Sequence, residues 1–414
     1  PVDERINSMT TTAIPYLDNR IREDYENLIR YKTKLDQNNL SYFTAQYLYA
    51  RSYFNDIPVQ PENKKAVEYY NAQAQRYWTS QSIYAQGMIA LALYRMNDKK
   101  TPVAIIKSLK ENSITNEELG MYWKNNNGGY YWYQAPIETQ ALLIEAFDEV
   151  ADDAISVDNM KLWLLKQKQT NDWKTTKATA EAVYALLLRG SSWLMNEPEI
   201  TVSLGNTIVD LGKQLTQAGT GYFETNWKEN EITPQMGNIK VTRSSADNGV
   251  SWGAVYWQYF EQLDKITTSV NGTITPLSLQ KKLFLQRNSA TGPVMEPITT
   301  STSLKPGDLV KVRIELRVDR DMEYVHMKDL RAACFEPINV LSGYQWQDEL
   351  GYYEETKDAS TNFFFDHLSK GTYVFEYPLR VQLKGDFSNG ITTIQCMYAP
   401  EFTSHSEGVR VVVK

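Results

Sequence analysis

The chain is poor in the residues from which many active sites are built. Its 414 residues include 2 cysteines and 3 histidines. The histidines, His326, His367 and His405, are far apart in the sequence and no two stand at a helical i, i+4 spacing, so we expect no zinc site and interpret them as solvated surface residues. The cysteines, Cys334 and Cys396, allow at most one disulfide, which leaves the redox compartment open.

Long apolar runs and excess positive charge are also missing. No run approaches the ~20 apolar residues that cross a membrane, and the chain contains no secretory signal. Its net charge of −7 would repel a polyanion, so we expect no nucleic-acid partner. We expect the chain to be a fragment of a longer protein whose targeting signal lies upstream of Pro1.

Nucleotide-binding motifs are absent, and the single match to a catalytic motif has the wrong context. Neither a Walker A sequence nor a dinucleotide fingerprint occurs. Gly249–Gly253 matches the nucleophile elbow, with Ser251 as the nucleophile. That motif needs a strand before the serine and a helix after it. Here a turn precedes it and an alternating strand follows, so we interpret it as a β-turn that leads into a strand.

Aromatic residues are plentiful, and the stretch Tyr122–Val150 organises the first half of the chain. The sequence has 27 tyrosines and 10 tryptophans. Within the stretch, an Asn- and Gly-rich turn at residues 126–129 accepts positive φ at little cost. Pro136 suits the first turn of a helix, where no backbone N–H is needed. The helix that follows is apolar on most faces and must therefore be covered by similar helices.

Three other segments supply such helices. Phe43–Ala50, Ile83–Leu93 and Ala178–Leu187 each repeat a small residue, a Gln or Glu, and an Ala/Leu/Tyr run. Their spacing, on the order of 40–55 residues, is that of a helix pair with its connections. We predict an α/α toroid over residues 1–195.

The pattern changes to β after Leu194. Glu199–Gly205 alternates with period two, and glycine turns follow, which predicts a middle β segment over residues 196–275. Beyond it we predict a β-sandwich of about seven strands over residues 276–414. The predicted strands of this sandwich are Leu279–Gln286, Lys311–Val318, Glu323–Met327, Asn362–Phe365, Thr372–Gln382 and Ile391–Tyr398. The fold class is thus multidomain α + β.

Carboxylates near aromatic residues leave a second function open, because α/α toroids also house glycosidases. Trp123, Trp132 and Tyr133 could form a sugar platform beside them. The competing interpretation, which we prefer, is that Glu117 and Glu118 lie near a helix end while the aromatic residues pack the ring. The carboxylates in question are Glu117, Glu118, Glu138, Glu145 and Glu181.

The order of a helical toroid, β segments and a sandwich resembles the carboxy-terminal part of bacterial alpha-2-macroglobulins, especially those of Bacteroidetes. Gly129–Gln140 resembles their thioester-domain toroid. Leu316–Val325, followed by Glu336-Pro337, resembles the opening of their last macroglobulin domain. Gly371–Tyr377 and Met397–Glu401 resemble its closing strands. The resemblance implies that the sandwich over residues 276–414 is of the macroglobulin type and that the middle β segment over residues 196–275 is CUB-like or a linker.

The resemblance implies a protease inhibitor of the trap type, periplasmic or attached to the cell surface. In this family a protease cuts a bait region and is caged when the molecule rearranges, and some members also acylate the protease through a thioester. That bond needs a Cys-x-Glu-Gln motif in the toroid. Here Cys334-Phe335-Glu336-Pro337 ends in proline, which has no side-chain amide, so we expect no thioester and no covalent capture by this chain. Either this family member lacks the thioester, or its motif lies upstream of Pro1.

We therefore predict a non-enzymatic chain with no catalytic, cofactor-binding or metal-binding residues. The expected partners are proteases, engaged through the full-length protein, and a lipoprotein signal upstream would provide membrane anchoring. The alternative is a carbohydrate-active enzyme or glycan-binding protein on the toroid, and a surface adhesion module is a third, weaker possibility. A glycosidase needs a cleft with two carboxylates ~5–10 Å apart, and a trap fragment does not.

Overall fold

A computed structural model of the chain describes residues 4–129, 134–190, 200–209, 222–243, 253–263, 265–267, 275–290, 292–299, 301–347 and 349–414. The chain divides into two compact units. The first comprises Pro1–Leu164 and Thr175–Trp252, and the second comprises Leu165–Lys174 and Gly253–Lys414. This division into two units does not test the predicted domain boundaries at residues 195 and 275.

The described part of the first half contains eight α-helices. Their residues are α1 Glu4–Arg30, α2 Tyr42–Arg51, α3 Lys64–Tyr77, α4 Ile83–Arg95, α5 Thr101–Glu111, α6 Pro136–Ala151, α7 Ala154–Thr170 and α8 Thr176–Leu188. A short hairpin, β1 (Ile114–Asn116) with β2 (Gly120–Tyr122), lies between α5 and α6. The prediction of a helical amino-terminal half is confirmed.

The even-numbered helices of the first unit form one layer. α2 packs on α4, α4 on α6 and α6 on α8, while α1 packs on α3 and α5 on both α4 and α6. Every residue of α6 from Glu138 to Phe147 is buried, as a helix covered on several sides must be. A side chain at Gly87 of α4 would come within 3.0 Å of Leu143 of α6, so glycine permits this close approach. We call α2, α4, α6 and α8 the inner layer.

Hydroxyl side chains begin three of the four inner helices. Ser41, Ser82 and Thr175 each accept a hydrogen bond from the backbone N–H three residues later, which satisfies a helix-terminal donor. α6 begins with Pro136 in its first turn, as predicted. The inner helices therefore start by local signals that the sequence carries, and their apolar residues bring them together.

A small antiparallel sheet follows the helices. It consists of β3 (Ile200–Leu204), β4 (Thr207–Val209) and β5 (Ile239–Arg243), with β3 in the centre. The strand predicted at Glu199–Gly205 is confirmed by β3. The strand predicted after Gly253 is wrong, because residues 253–263 form no regular structure. Their side chains are exposed, Phe260 fully so, and no strand in the described part of the chain pairs with them.

The described carboxy-terminal part is built of fourteen strands. They are β6 Leu277–Ser289, β7 Gly292–Pro297, β8 Ser303–Leu304, β9 Leu309–Val318, β10 Met322–Leu330, β11 Phe335–Pro337, β12 Gly343–Gln347, β13 Leu350–Thr356, β14 Ser360–Leu368, β15 Gly371–Val381, β16 Gly385–Ser388, β17 Thr392–Cys396, β18 Thr403–His405 and β19 Arg410–Val413. The predicted sandwich is confirmed, but the predicted number of about seven strands is wrong. Short strands such as β8 and β11 are too brief to show alternation.

Two sheets enclose the core of the second unit. One has the order β11-β15-β9-β6-β7 and the other β12-β13-β14-β10-β17-β18, and β16, β19 and β8 form a smaller sheet. β9 shows the alternation clearly, because Val310, Val312, Ile314, Leu316 and Val318 are all at most 2% exposed. These inward residues pack in one cluster with those of the facing sheet. Burying this apolar surface is the main source of the unit's stability.

Candidate functional site

A buried carboxylate, Glu145, gathers the carboxy-terminal ends of the inner layer. It is 7% exposed. Tyr49 and Tyr53 each donate a hydrogen bond to it at 2.9 Å. Arg95, the last residue of α4, donates at 2.7 Å, and Arg189, directly after α8, donates at 3.2 Å. One carboxylate thus holds together side chains from the ends of three helices. We call Glu145 and these four partners the Glu145 cluster.

The two arginines of the Glu145 cluster are paired with further carboxylates. Arg95 donates to Glu149 at 2.7 and 2.6 Å, and its guanidinium lies 4.2 Å from the ring centroid of Tyr53. Arg189 lies 3.5 Å from Asp148. Burial acts to lower the pKa of Arg95. Hydrogen bonds to Glu149, Tyr53 and Glu145 outweigh this effect and hold that pKa above its ordinary value. Each buried charge is therefore compensated.

This arrangement makes Glu145 a structural group. A catalytic acid must hold a transferable proton within reach of a substrate. Glu145 instead accepts bonds from two guanidinium groups and two hydroxyls, which occupy both of its oxygens. Of the carboxylates that could have formed a glycosidase pair, Glu145 is thus excluded as the acid.

The opposite ends of the inner helices carry a second group of polar side chains. Tyr42 and Tyr84, in the first turns of α2 and α4, have ring centroids 6.2 Å apart. Lys177 of α8 lies 5.9 Å from the Tyr84 ring and 3.6 Å from Glu181. Glu138, in the first turn of α6, accepts a bond of 3.4 Å from Thr175. We call Tyr42, Tyr84, Glu138, Lys177 and Glu181 the amino-terminal cluster.

Two predicted carboxylates, Glu138 and Glu181, meet in this cluster. Burial raises the pKa of Glu181, Lys177 opposes that shift, and the negative charge of Glu138 reinforces it. The carboxylates Glu117 and Glu118 do not join them. Both are exposed in the turn of the β1–β2 hairpin, so the predicted position near a helix end is wrong. The local reason is that residues 114–122 pair as a hairpin and do not extend α5.

Trp123, the described member of the proposed sugar platform, packs in the core. Trp123 is 4% exposed, donates from Nε1 to the carbonyl of Leu109 at 2.9 Å and lies 6.1 Å from the Phe147 ring. It is therefore unavailable as a sugar platform, and the preferred packing interpretation holds for it. Trp132 and Tyr133, the other two members of the proposed platform, lie outside the described residues.

The histidines occupy three strands of the second unit. His326 is half-buried, stacks on Phe364 at 4.7 Å and lies 3.1 Å from Asn362, so the prediction of a solvated residue is wrong for it. His367 is exposed on β14, and His405 is half-buried on β18. Among the residues that the structure describes, no group of three or more His, Cys, Asp or Glu is placed to hold a metal ion. Ser251 lies outside the described residues.

Both cysteines are free thiols buried in the second unit. Cys334 lies just before β11, and burial raises its pKa to about 11. Cys396 ends β17, where its thiol lies 3.4 Å from the carbonyl of Glu323, and burial raises its pKa as well. A thiol with a raised pKa is a poor nucleophile at neutral pH.

No described helix is long and apolar enough to span a bilayer.

The sandwich has a recognisable sequence relative. The family model described as the bacterial alpha-2-macroglobulin MG10 domain matches residues 277–401. The sandwich is thus similar in sequence to the MG10 domain of bacterial alpha-2-macroglobulins. The match begins at the first residue of β6 and includes Cys334 and Cys396. It confirms the resemblance that the strands around residues 316–325 and 371–377 indicated.

Solved structures of bacterial alpha-2-macroglobulins match almost the whole chain. A Salmonella alpha-2-macroglobulin mutant aligns over 100% of this chain and 24% of its own, with 13% identity and a TM-score of 0.30. Trypsin-activated Escherichia coli alpha-2-macroglobulin aligns over 94% of this chain and 25% of its own, with 13% identity and a TM-score of 0.37. The chain thus spans about a quarter of the length of these proteins.

A third match is native Escherichia coli alpha-2-macroglobulin from domain MG7 to the C-terminus, covering 92% of this chain and 63% of its own, with 12% identity and a TM-score of 0.29. Scores this low carry no weight for function, and the assignment of the sandwich rests on the MG10 model. A comparison with curated proteins found no match.

The amino-terminal cluster predicts a pH-dependent effect at Glu181. The pKa of Glu181 is higher in the folded state than in the unfolded chain, where it is about 4.3. The protonated Glu181 side chain therefore contributes stability at pH values below the unfolded pKa, and this contribution is lost as pH rises through the folded pKa. We therefore expect Glu181→Gln to raise the thermal midpoint at pH 7 and to leave it nearly unchanged at pH 3.5.

The matched control is Glu117→Gln in the exposed hairpin turn, which should shift the midpoint little at either pH. Circular dichroism melts of the helical signal provide the measurement. A Glu181→Gln midpoint that falls at pH 7 would show that the ionised carboxylate is stabilising, which contradicts the assigned direction.

Proposed function

We propose that this chain is the carboxy-terminal part of a bacterial alpha-2-macroglobulin-type protease trap and acts as a scaffold without chemistry of its own. The observation that carries the proposal is the match of residues 277–401 to the MG10 family model. The inner layer that precedes it supports the proposal, because a helical half before the last macroglobulin domain is the order that the family resemblance implies. The helical half is then the counterpart of the family's thioester domain.

The trap works without a thioester in this chain. A thioester requires a cysteine thiol and a glutamine amide joined across a short turn. Both cysteines lie in the sandwich, and Pro337 stands where the motif after Cys334 would need glutamine. Burial also keeps both thiols protonated at neutral pH. Protease capture therefore depends on caging alone, as far as this chain contributes.

The carboxylates of the helical half support a non-enzymatic role. Glu145 is fully occupied by hydroxyl and guanidinium donors. Glu138 and Glu181 lie at the other ends of the inner helices, where Lys177 is paired with Glu181. Retaining and inverting glycosidases both need two free carboxyl groups, one on each side of the glycosidic bond that is cleaved. Glu145 is instead committed to holding helix ends, and Glu117 and Glu118 are exposed in a hairpin turn away from the other carboxylates, so the carbohydrate-active alternative is the weaker one.

The expected surroundings follow from the same proposal. A protease trap must meet proteases outside the cytoplasm, so we place the protein in the periplasm or at the cell surface. Membrane attachment would come from a lipoprotein signal on the longer protein. Proteases are the proposed partners, and they would be engaged through the whole molecule.

Thiol titration tests the absence of a thioester. Ellman's reagent should label few thiols in the native chain and two after denaturation, because both cysteines are buried and free. Pretreatment with methylamine should leave these numbers unchanged, since there is no thioester to cleave. Cys334→Ser should lower the denatured count by one. Release of an additional thiol by methylamine would contradict the proposal.

Protease trapping tests the function itself, in the full-length protein that carries this chain. A protease mixed with it should lose activity on a large protein substrate and keep activity on a short peptide substrate, because a cage excludes only large molecules. A catalytically inactivated protease should not be trapped, since it cannot cut the bait. Loss of neither activity, or turnover of a polysaccharide, would overturn the proposal.

A further inference from the structure

A lysine and an aspartate meet inside the apolar core of the sandwich. Lys281 Nζ lies 2.6 Å from Asp329 Oδ1, and both side chains are 0% exposed. Lys281 occupies an inward position of β6, where Leu277, Leu279 and Leu283 occupy the neighbouring inward positions. A lysine at such a position is rare, because removing its charge from water is costly.

The aspartate also takes a core position, on the facing sheet. In β10 the inward residues are Val325, Met327 and Asp329. β6 belongs to the five-stranded sheet and β10 to the six-stranded sheet, so the pair joins the two layers of the sandwich. Both strands lie inside their sheets, between two neighbours each. Lys281 and Asp329 are therefore held by strands that are hydrogen-bonded to a neighbour on both edges.

Two hydroxyl groups complete the surroundings of the carboxyl group. Thr392 of β17 donates to Asp329 Oδ1 at 2.6 Å. Tyr377 of β15 donates to Oδ2. The two carboxyl oxygens are thus distinguished, because Lys281 and Thr392 both contact Oδ1 whereas Tyr377 contacts Oδ2. Lys281 Nζ also donates to the carbonyl of Leu330 at 2.6 Å, which fixes the amine beside the carboxyl group.

We propose that Lys281 and Asp329 are a modification site, at which the lysine amine and the aspartate carboxyl group condense into an intramolecular isopeptide bond. The chemistry needs no added reagent. The Lys281 ammonium passes one proton to Asp329 Oδ1 across their contact, which leaves a neutral amine and a neutral acid. The Nζ lone pair forms a bond to Cγ. The Cγ–Oδ1 bond then breaks, a second nitrogen proton goes to Oδ1, and one water leaves.

The surrounding groups fit each stage of this condensation. Burial lowers the pKa of Lys281, Asp329 opposes this, and the positive charge of Arg331 lowers it again, so the neutral amine is accessible. Tyr377 donates to Oδ2, where negative charge develops when the amine attacks. Thr392 can relay a proton to the leaving Oδ1. Holding the two reactants in contact supplies much of the rate enhancement.

The product satisfies the same hydrogen bonds with fewer buried charges. The amide N–H that remains can still donate to the carbonyl of Leu330, and the amide oxygen, formerly Oδ2, still accepts from Tyr377. Two buried charges and their desolvation cost disappear. The new bond also ties the sheets together covalently and reduces the freedom of the unfolded chain, as a disulfide does. The alternative state is an ordinary buried ion pair between the same residues.

Mass spectrometry of the intact, denatured chain decides between the two states. With the isopeptide bond, the mass is lower by one water than the mass calculated from the sequence. A tryptic digest then contains one branched peptide that joins the segments of Lys281 and Asp329. Lys281→Arg keeps a positive charge but cannot form the bond, so this variant should have its full calculated mass and a lower unfolding midpoint in denaturant.

Lys282→Arg is the matched control, because the adjacent residue points outward and lies 3.3 Å from Glu315. It should retain the loss of one water. The proposal is overturned if the chain without substitutions has the full calculated mass. It is also overturned if the loss of one water persists in Lys281→Arg. If Lys281→Arg fails to fold, the intact mass and the tryptic digest of the chain without substitutions and of Lys282→Arg still show whether the bond forms.

Discussion

A carboxylate removed from water must be met by cations or hydrogen-bond donors, and both units of this chain are arranged around that requirement. In the helical unit, Glu145 is contacted by Arg95, Arg189 and two tyrosines. In the sandwich, the corresponding residue is Asp329. An unpaired charge at either position would cost several kcal/mol, which is a large part of the stability of a typical domain. Each carboxylate therefore fixes the relative positions of the helices or strands that supply its partners.

The same requirement explains why Glu145, although it lies beside aromatic residues, is occupied by neighbouring side chains. Catalysis needs groups whose charge or proton is available to a substrate, and compensation by neighbouring side chains removes that availability. The inner layer separates its polar groups to its two ends, with the Glu145 cluster at the carboxy-terminal ends and the amino-terminal cluster at the other. The apolar helices between them are packed through contacts such as that of Gly87 with Leu143.

Much of this architecture could be predicted from the sequence, because local signals and periodicity agree. The apolar run after Pro136 predicted a covered helix, and the caps at Ser41, Ser82 and Thr175, which could have been read as well, mark the starts of three more. Short edge strands of the sandwich could not be predicted, since two to five residues show no reliable alternation. The clusters were also missed, because they join residues far apart in the chain. One signal was present, namely Lys281 at a position where the alternation of β6 calls for an apolar residue.

The claim that the charged residues of the helical half hold its architecture is tested most directly by a double-mutant cycle on Glu145 and Arg95. Glu145→Gln, Arg95→Met and the double variant would be unfolded in urea, and the free energies of unfolding compared. If Glu145 serves to bind the helix ends together, the coupling energy should exceed about 1 kcal/mol, and the double variant should be less destabilised than the sum of the single variants. Additivity within about 0.5 kcal/mol would contradict the account, because it would mean that the buried pair contributes nothing to the fold.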